Sequence, residues 1–148
     1  MKTRKSSNVC FIDTNVFIAF ANKSDQDHLR SLVLIDKIRK GEFGLAYTSD
    51  YIFDEAVTAA LICSKRLDVA VKTGKIILGS RDEGIPSLAK LIRVDERIFE
   101  MAWATFKAGR LEGLSFTDHT ILAQLREYRI EALASFDTGF DGLAARIS

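Results

Sequence analysis

The sequence contains few of the residues that build metal centres from nitrogen and sulfur ligands. Only two histidines and two cysteines occur in its 148 residues, so zinc, which prefers such ligands, is a poor candidate for a bound metal. Cys10 lies in VCFI and Cys63 in ALICSK, and their spacing matches no metal or redox motif. Because both have apolar neighbours, we expect two reduced thiols in the core of a cytoplasmic protein.

Proline, an excess of one charge and long apolar runs are also scarce. A single proline and a hydrophobic fraction of 47% indicate a compact chain rather than a disordered one. The 21 basic and 20 acidic residues give a net charge of +1, so no overall basic excess indicates a nucleic-acid partner, although a local patch can still bind one. No apolar run is long enough to span a membrane or to serve as a signal peptide.

The length of the chain fits one domain with a substantial hydrophobic core. Residues 1–8, MKTRKSSN, are polar and basic, and we expect them to form a flexible tail. A tail that contacts phosphate groups is the alternative. Residues 9–148 show no internal repeat and no low-complexity linker, which predicts a single domain.

Predicted strands and helices alternate along the chain. We expect strands at 9–12, 44–49, 88–94 and 130–136. We expect helices at 14–22, from Ser24 or Asp25 to Gly41, at 49–65, 67–80 and 95–109, and around Asp118. This alternation is typical of an α/β fold in three layers, with a central, mainly parallel sheet flanked by helices. Such folds bind ligands at the carboxyl ends of their strands.

Two aspartates directly follow predicted strands. Asp13 comes after VCFI and Asp137 after IEALASF, so in a parallel sheet both lie at the edge where ligands bind. An aspartate at a strand end also serves as a cap for a turn or helix, and this alternative is equally good for either residue taken alone. Two aspartates at equivalent strand ends favour a shared site.

A glutamate is predicted to lie near the same edge. Glu55 is in the first turns of the helix that follows the second strand, beside its apolar face, whereas Asp54 turns away. The alternative for Glu55 is a solvated residue at the boundary of that face.

A third aspartate lies on a helical stripe whose other residues are apolar. Asp118 lies on the same helical stripe as the residues that follow it at helical spacing: Ile121, Leu122 and Leu125. The alternative is a structural role in the first turn, after Thr117 as N-cap residue, where the helix dipole stabilises a carboxylate. That role does not explain why the side chain shares the inward stripe.

These four residues point to a metal if they share one pocket: Asp13, Glu55, Asp118 and Asp137. Four ionised carboxylates repel one another unless a cation compensates their charge. Oxygen ligands suit Mg²⁺ or Mn²⁺, and one or two such ions activate a water molecule and neutralise the charge that develops on a phosphoryl group. The residues therefore indicate hydrolysis of a phosphodiester.

The segments that carry these carboxylates also resemble the motifs of a known family. VCFIDTNVFIAF resembles the opening motif of PIN-domain ribonucleases, and YTSDYIFDEAVT resembles the second, with its glutamate on a helix. LSFTDHTILA resembles the third acidic motif, and ASFDTGFDGL the fourth. The motifs occur in family order and cover nearly the whole chain, so they are specific as a set.

The resemblance implies a magnesium- or manganese-dependent ribonuclease with a PIN-like fold over residues 9–148. The family's catalytic and metal-binding quartet falls on four residues: Asp13, Glu55, Asp118 and Asp137. Asn15 falls on the polar position that helps to hold the site or the substrate. Thr117 falls on a position where a hydroxyl residue or a small apolar residue is common.

The resemblance also implies partners. Small single-domain members of the family are commonly the toxins of VapBC-type toxin–antitoxin pairs. We therefore expect an RNA substrate, a homodimer, a cognate antitoxin protein that inserts into the active site, and no membrane association.

Two other functions are compatible with parts of the sequence. A strand that ends in DTN is similar to the nucleophile motif of haloacid-dehalogenase-like phosphatases, but those enzymes need a second aspartate where this chain has Asn15. The other alternative is a non-catalytic PIN-like module that binds RNA or a protein. The complete acidic quartet argues against that alternative.

Several neighbouring side chains are expected to be structural. We expect His119 to be partly exposed, since it points some way round the helix from Asp118. In helix 95–109 we expect Phe106 to face inward and Trp103 to belong to the core, because an aromatic residue more often packs than stacks on a base.

Overall fold

The computed structural model describes residues 8–148. Within this range five strands form one sheet: β1 (Val9–Ile12), β2 (Leu45–Ser49), β3 (Lys90–Ile92), β4 (Ala132–Ala134) and β5 (Ala145–Ile147). Their order is β3-β2-β1-β4-β5, and every pairing is parallel. The predicted parallel sheet is confirmed, with one strand, β5, that the sequence does not predict.

Helices flank this sheet, as the predicted three-layer α/β/α architecture requires. They are α1 (Thr14–Ala21), α2 (His28–Arg39), α3 (Asp50–Ser64), α4 (Leu67–Leu78), α5 (Glu96–Ala108) and α6 (Phe116–Glu127), and a 3₁₀ turn spans Thr138–Phe140. Helix α2 begins later than predicted. The Asp25 carboxylate accepts a hydrogen bond from the backbone N–H of Asp27 at 2.8 Å and so forms a turn ahead of the helix.

The order of the strands creates a crevice at the carboxyl end of the sheet. The chain moves from β1 outward to β2 and β3 and then returns to place β4 on the other side of β1. At such a point the connections leaving the two neighbouring strands run in opposite directions, and the space between them binds ligands in open α/β sheets. Asp13 directly follows β1, and Asp137 lies three residues beyond Ala134, the last residue of β4.

The central strand is buried because it is apolar on both faces and has a neighbour on each side. Cys10, Phe11 and Ile12 are fully buried, which confirms the expectation for Cys10. Cys63 is exposed instead of buried. It lies near the C-terminal end of α3, beyond Ile52 and Ala56, which are the buried residues of that helix.

The expected tail, residues 1–8, lies outside the described residues except for Asn8. Its predicted flexibility and the single-domain boundary at residue 9 remain predictions. Among the helices of the described range, none combines the length and the apolar character that a membrane crossing requires.

Candidate active site

Asp13 lies at the junction of β1 and α1 and is 4% exposed. Its backbone N–H donates to the carbonyl oxygen of Ala134 at 2.9 Å, which ties it to β4. Its Oδ1 accepts a 2.7 Å hydrogen bond from the backbone N–H of Thr14, so Asp13 does cap α1. Capping occupies one carboxylate oxygen, and the other faces β4.

The second oxygen of Asp13 is held by polar side chains from two elements. Its Oδ2 accepts a hydrogen bond from the Ser135 hydroxyl at 2.7 Å and another from the Asn15 amide at 3.2 Å. The same Ser135 oxygen accepts from the Asn15 amide and from the backbone N–H of Asp137. The Asn15 Oδ1 in turn accepts from the backbone N–H of Phe136 at 3.0 Å. This network joins the ends of β1 and β4.

Glu55 projects from the second turn of α3 toward the same junction. Its Oε1 accepts a 2.9 Å hydrogen bond from the hydroxyl of Thr14, the residue directly after Asp13. Glu55 is half-buried, whereas its neighbour Asp54 is exposed. The first turn of α3 is fixed by the Ser49 hydroxyl, which accepts from the backbone N–H of Ile52, so the direction of Glu55 is set by the end of β2.

Asp118 is the third residue of α6 and forms a capping box with Ser115. Its Oδ2 accepts from the backbone N–H of Ser115 at 2.8 Å, and the Ser115 hydroxyl accepts from the backbone N–H of Asp118 at 3.1 Å. The N-cap residue is therefore Ser115, and the expectation that Thr117 fills this position is wrong. Thr117 lies inside the first turn, and its carbonyl oxygen accepts from the Thr120 hydroxyl.

Asp137 is the N-cap of the 3₁₀ turn that follows β4. Its Oδ1 accepts a 2.8 Å hydrogen bond from the backbone N–H of Gly139. Phe140, at the end of this turn, is fully buried and anchors the turn in the core.

The four carboxylates interact through their charges. The pKa of Asp13 is raised to about 6, mainly by burial and to a smaller extent by the charges of Asp118 and Glu55, in spite of the hydrogen bonds from Ser135 and Thr14. Burial is also the main cause of the raised pKa of Asp118, with Asp137 and Glu55 adding to it. The fold therefore brings all four into electrostatic contact from four separate elements.

None of the four forms an ion pair within the described part of the chain. Arg146 on β5 interacts electrostatically with Asp137, but its guanidinium group is bound to the Asp141 carboxylate at 2.7 Å and to the Ser135 carbonyl oxygen at 3.1 Å. Nor do any three histidine, cysteine, aspartate or glutamate side chains of residues 8–148 form a ready-made metal cluster. The carboxylates are coupled by charge without a closed coordination shell.

The donor set fits a hard divalent cation. Carboxylate oxygens dominate it, and such oxygens are the preferred ligands of Mg²⁺ and Mn²⁺. The nearest histidine in sequence, His119, is buried, with its Nδ1 bonded to the Thr105 hydroxyl at 2.8 Å, so the expectation of partial exposure is wrong. A cation would also offset the repulsion that contributes to the raised pKa values of Asp13 and Asp118.

The sequence analysis does not predict two residues of this network: Ser135 and Thr14. Each contacts a quartet carboxylate directly, through its hydroxyl. A polar residue at the end of an otherwise apolar strand, as in LASFD, is the signal that points to Ser135. Thr14 offers no such signal, because a threonine at the first position of a helix is ordinary.

The PIN domain family model matches residues 10–146 of this chain. A curated VapC ribonuclease from Archaeoglobus fulgidus is 28% identical over 130 residues, which cover 87% of this chain and 77% of that protein.

Solved structures share the fold. VapC20 from Mycobacterium tuberculosis, described as a sarcin-ricin loop cleaving toxin, has a TM-score of 0.74 at 22% identity, covering 90% of this chain and 93% of that one. FitAcB from Neisseria gonorrhoeae has a TM-score of 0.64 at 15% identity, covering 94% and 96%. A toxin–antitoxin complex from Klebsiella pneumoniae has a TM-score of 0.60 at 16% identity, with the same coverage. Since the family model spans nearly the whole described range, the chain belongs to the PIN domain family.

Proposed function

We propose that this protein is a metal-dependent endoribonuclease that hydrolyses RNA phosphodiester bonds. The observation that carries the proposal is the position of four carboxylates, on separate elements, at the carboxyl edge of a parallel sheet, where none of them has an ion-pair partner within residues 8–148. The sequence relative named as a VapC ribonuclease supports the choice of RNA, and one structural neighbour is described as a sarcin-ricin loop cleaving toxin.

The proposed metal ligands are three aspartates: Asp13, Asp118 and Asp137. Glu55 either joins them or orients the attacking water. When bound, Mg²⁺ or Mn²⁺ supplies an activated water molecule and neutralises charge on the phosphoryl group. Asn15 and Ser135 hold the Asp13 carboxylate in place through hydrogen bonds to Oδ2, and Thr14 holds Glu55. Thr117 is proposed to support the substrate beside Asp118.

We further propose that the protein is the toxin of a VapBC-type pair. Structural neighbours include a toxin–antitoxin complex and a VapBC2 complex from Rickettsia felis. The proposed partners are RNA, a second copy of the chain in a homodimer, and a cognate antitoxin that inserts into the acidic site. The proposed location is the cytoplasm.

The phosphatase alternative loses further support from the contacts of Asn15. The general acid in that mechanism must be a carboxylic acid two residues after the nucleophile. Here that position holds an amide whose Nδ2 donates to Asp13 and whose Oδ1 accepts from Phe136. The non-catalytic alternative is favoured by one observation, the lack of a ready-made metal cluster within residues 8–148.

The proposal is tested by incubating the purified protein with total RNA in the presence of Mn²⁺, with Asp13→Asn and Asp95→Asn as parallel variants. Asp95 is the N-cap residue of α5, as Asp13 is of α1, and its carboxylate also accepts a backbone N–H, from Ile98. Among residues 8–148 no hydrogen bond or ion pair joins Asp95 to the quartet. We expect metal-dependent fragments from the wild type and from Asp95→Asn, and none from Asp13→Asn. Equal fragmentation by all three would indicate a contaminating nuclease. Intact RNA with every protein would support the non-catalytic alternative.

A further inference from the structure

Large aromatic side chains lie on the surface of α5 instead of in the core. Phe99, Trp103 and Phe106 are 45%, 48% and 41% exposed, so the expectation that Trp103 is buried and Phe106 faces inward is wrong. They recur at the spacing of one helical face. With Phe116 of α6 and Tyr51 of α3, both half-buried, they form what we call the aromatic ledge.

The ledge is a continuous assembly of rings rather than scattered apolar residues. The Phe116 ring lies at its centre, with ring centroids 5.3 Å from Phe99, 5.8 Å from Phe106 and 6.4 Å from Tyr51. The exposed Trp103 and Phe106 rings are nearly parallel, with an interplanar angle of 21° and centroids 6.1 Å apart. The half-buried Phe116 ring contacts Phe106 edge to face. This contact supports the nearly parallel outer rings of Trp103 and Phe106 from the protein side.

The ledge is continuous with the acidic site. Phe116 lies in the same first turn of α6 as Asp118, two residues before it. Tyr51 precedes Glu55 by four residues on α3, and residues four apart lie on the same helix face. The ledge therefore begins beside Glu55 and extends outward along α5.

A cationic side chain lies at the outer end of the ledge. The Lys107 ammonium group lies 5.9 Å from the centre of the Trp103 ring, and Lys107 forms no ion pair among the described residues. Arg110 follows just beyond the end of α5 and is exposed. Aromatic faces combined with unpaired cations are the features that bind single-stranded nucleic acid, because every base offers a face for stacking and every linkage a phosphate.

We propose that the aromatic ledge is the subsite that stacks one or two unpaired bases of the RNA next to the scissile linkage. The inference rests on the proposed ribonuclease function and names its substrate class as single-stranded or looped RNA. Trp103 and Phe106 stack the bases, and Lys107 contacts the adjoining phosphate. These residues position the substrate and take no part in bond cleavage.

Trp103 is the chain's single tryptophan, so intrinsic fluorescence reports on the ledge alone. The experiment titrates Asp13→Asn, which is expected not to cleave, with single-stranded RNA oligonucleotides. We expect saturable quenching by the single strands. Fluorescence anisotropy of labelled RNA should then show about tenfold weaker binding to Trp103→Ala in the same background, and near-normal binding to Trp103→Phe. Leu29→Ala on α2, an apolar residue that is 76% exposed on a different surface, is the control.

The opposing results are distinct. If RNA leaves the emission unchanged, and light scattering shows that Trp103→Ala converts an oligomer to a monomer, the ledge is a contact between copies of the chain and the proposal is overturned. Unchanged RNA affinity of Trp103→Ala also overturns it. If RNA quenches the Trp103 fluorescence but wild-type protein with Mn²⁺ does not cleave it, the proposed enzyme activity is wrong and the proposed RNA-binding ledge is retained. If wild-type protein cleaves RNA but Trp103→Ala does not change RNA binding, the proposed role of the ledge is wrong and the proposed enzyme activity is retained.

Discussion

The Ser135 hydroxyl donates a 2.7 Å hydrogen bond to Oδ2 of Asp13, across the junction between β4 and β1. Ser135 is fully buried, and its oxygen also accepts from the backbone N–H of Asp137. One hydroxyl therefore links two aspartates that lie 124 positions apart in the chain. The contact also favours the ionised form of Asp13, because it opposes the effect of burial on the pKa.

Replacing this hydroxyl should shift the pH dependence of metal binding. In Ser135→Ala the pKa of Asp13 loses a contribution that lowers it, so Asp13 stays protonated to higher pH. Since a ligand must be deprotonated, we expect the midpoint of Mn²⁺ binding against pH to rise by about one unit, the equivalent of one hydrogen bond. Calorimetry over a pH series measures this midpoint. Ser31→Ala removes another fully buried serine hydroxyl, bonded to the His28 carbonyl oxygen, and should leave the midpoint in place.

The contact between Thr14 and Glu55 can be removed without a change of shape. Thr14→Val keeps the size of the side chain but takes away the donor to Glu55 Oε1, whereas Thr14→Ser keeps the hydroxyl. A hydrogen bond to a charged group contributes about 1.5–3 kcal/mol, so we expect RNA cleavage by Thr14→Val to slow on the order of tenfold. Thr14→Ser should retain most of the rate. Equal rates for the two variants would show that Glu55 needs no fixed orientation.

The two roles of Asp118 can be separated because an asparagine still offers an acceptor oxygen. Asp118→Asn should preserve the capping bond from the Ser115 N–H and cost no more than about 1 kcal/mol of stability. The loss of its charge should weaken Mn²⁺ binding on the order of tenfold or more, since a ligating carboxylate is replaced. Asp95→Asn, at the cap of α5, should show the same small change in stability and no change in affinity. Unaltered affinity in Asp118→Asn would leave capping as its only role.

Much of the fold follows from local pattern. Strand β1 is predictable because a strand covered on both faces must be apolar at every position, and the pattern ends at Asp13. Strand β5, residues 145–147, is not, because one of its residues is exposed, the other two are half-buried, and their place in the sheet comes from pairing with β4. Local sequence does not contain that long-range pairing.

Only part of the acidic site can be predicted from the sequence. Asp13 and Asp137 follow strands, and strand ends are visible as limits of apolar runs. The true N-cap at Ser115 was also visible, because serine followed three residues later by an acid is the pattern of a capping box. The burial of His119 was not visible, since it depends on Thr105 from the neighbouring helix α5. The exposure of Trp103 likewise depends on which face of α5 meets α6.

The metal-free protein should become less stable as pH rises through the titration of Asp13. Its pKa is about 6 in the fold against 3.8 as the ordinary value, so between these values the folded chain holds a proton that the unfolded chain has released. The associated stability is fully present below about pH 4 and is lost above about pH 6, and it amounts to about 3 kcal/mol. Asp13→Asn cannot lose this contribution, so its free energy of unfolding relative to wild type should rise by about that amount between acidic and neutral pH. Urea denaturation with a chelator at both ends of this range measures the difference. A difference between variant and wild type that does not change with pH would show that Asp13 is already ionised in the acidic range.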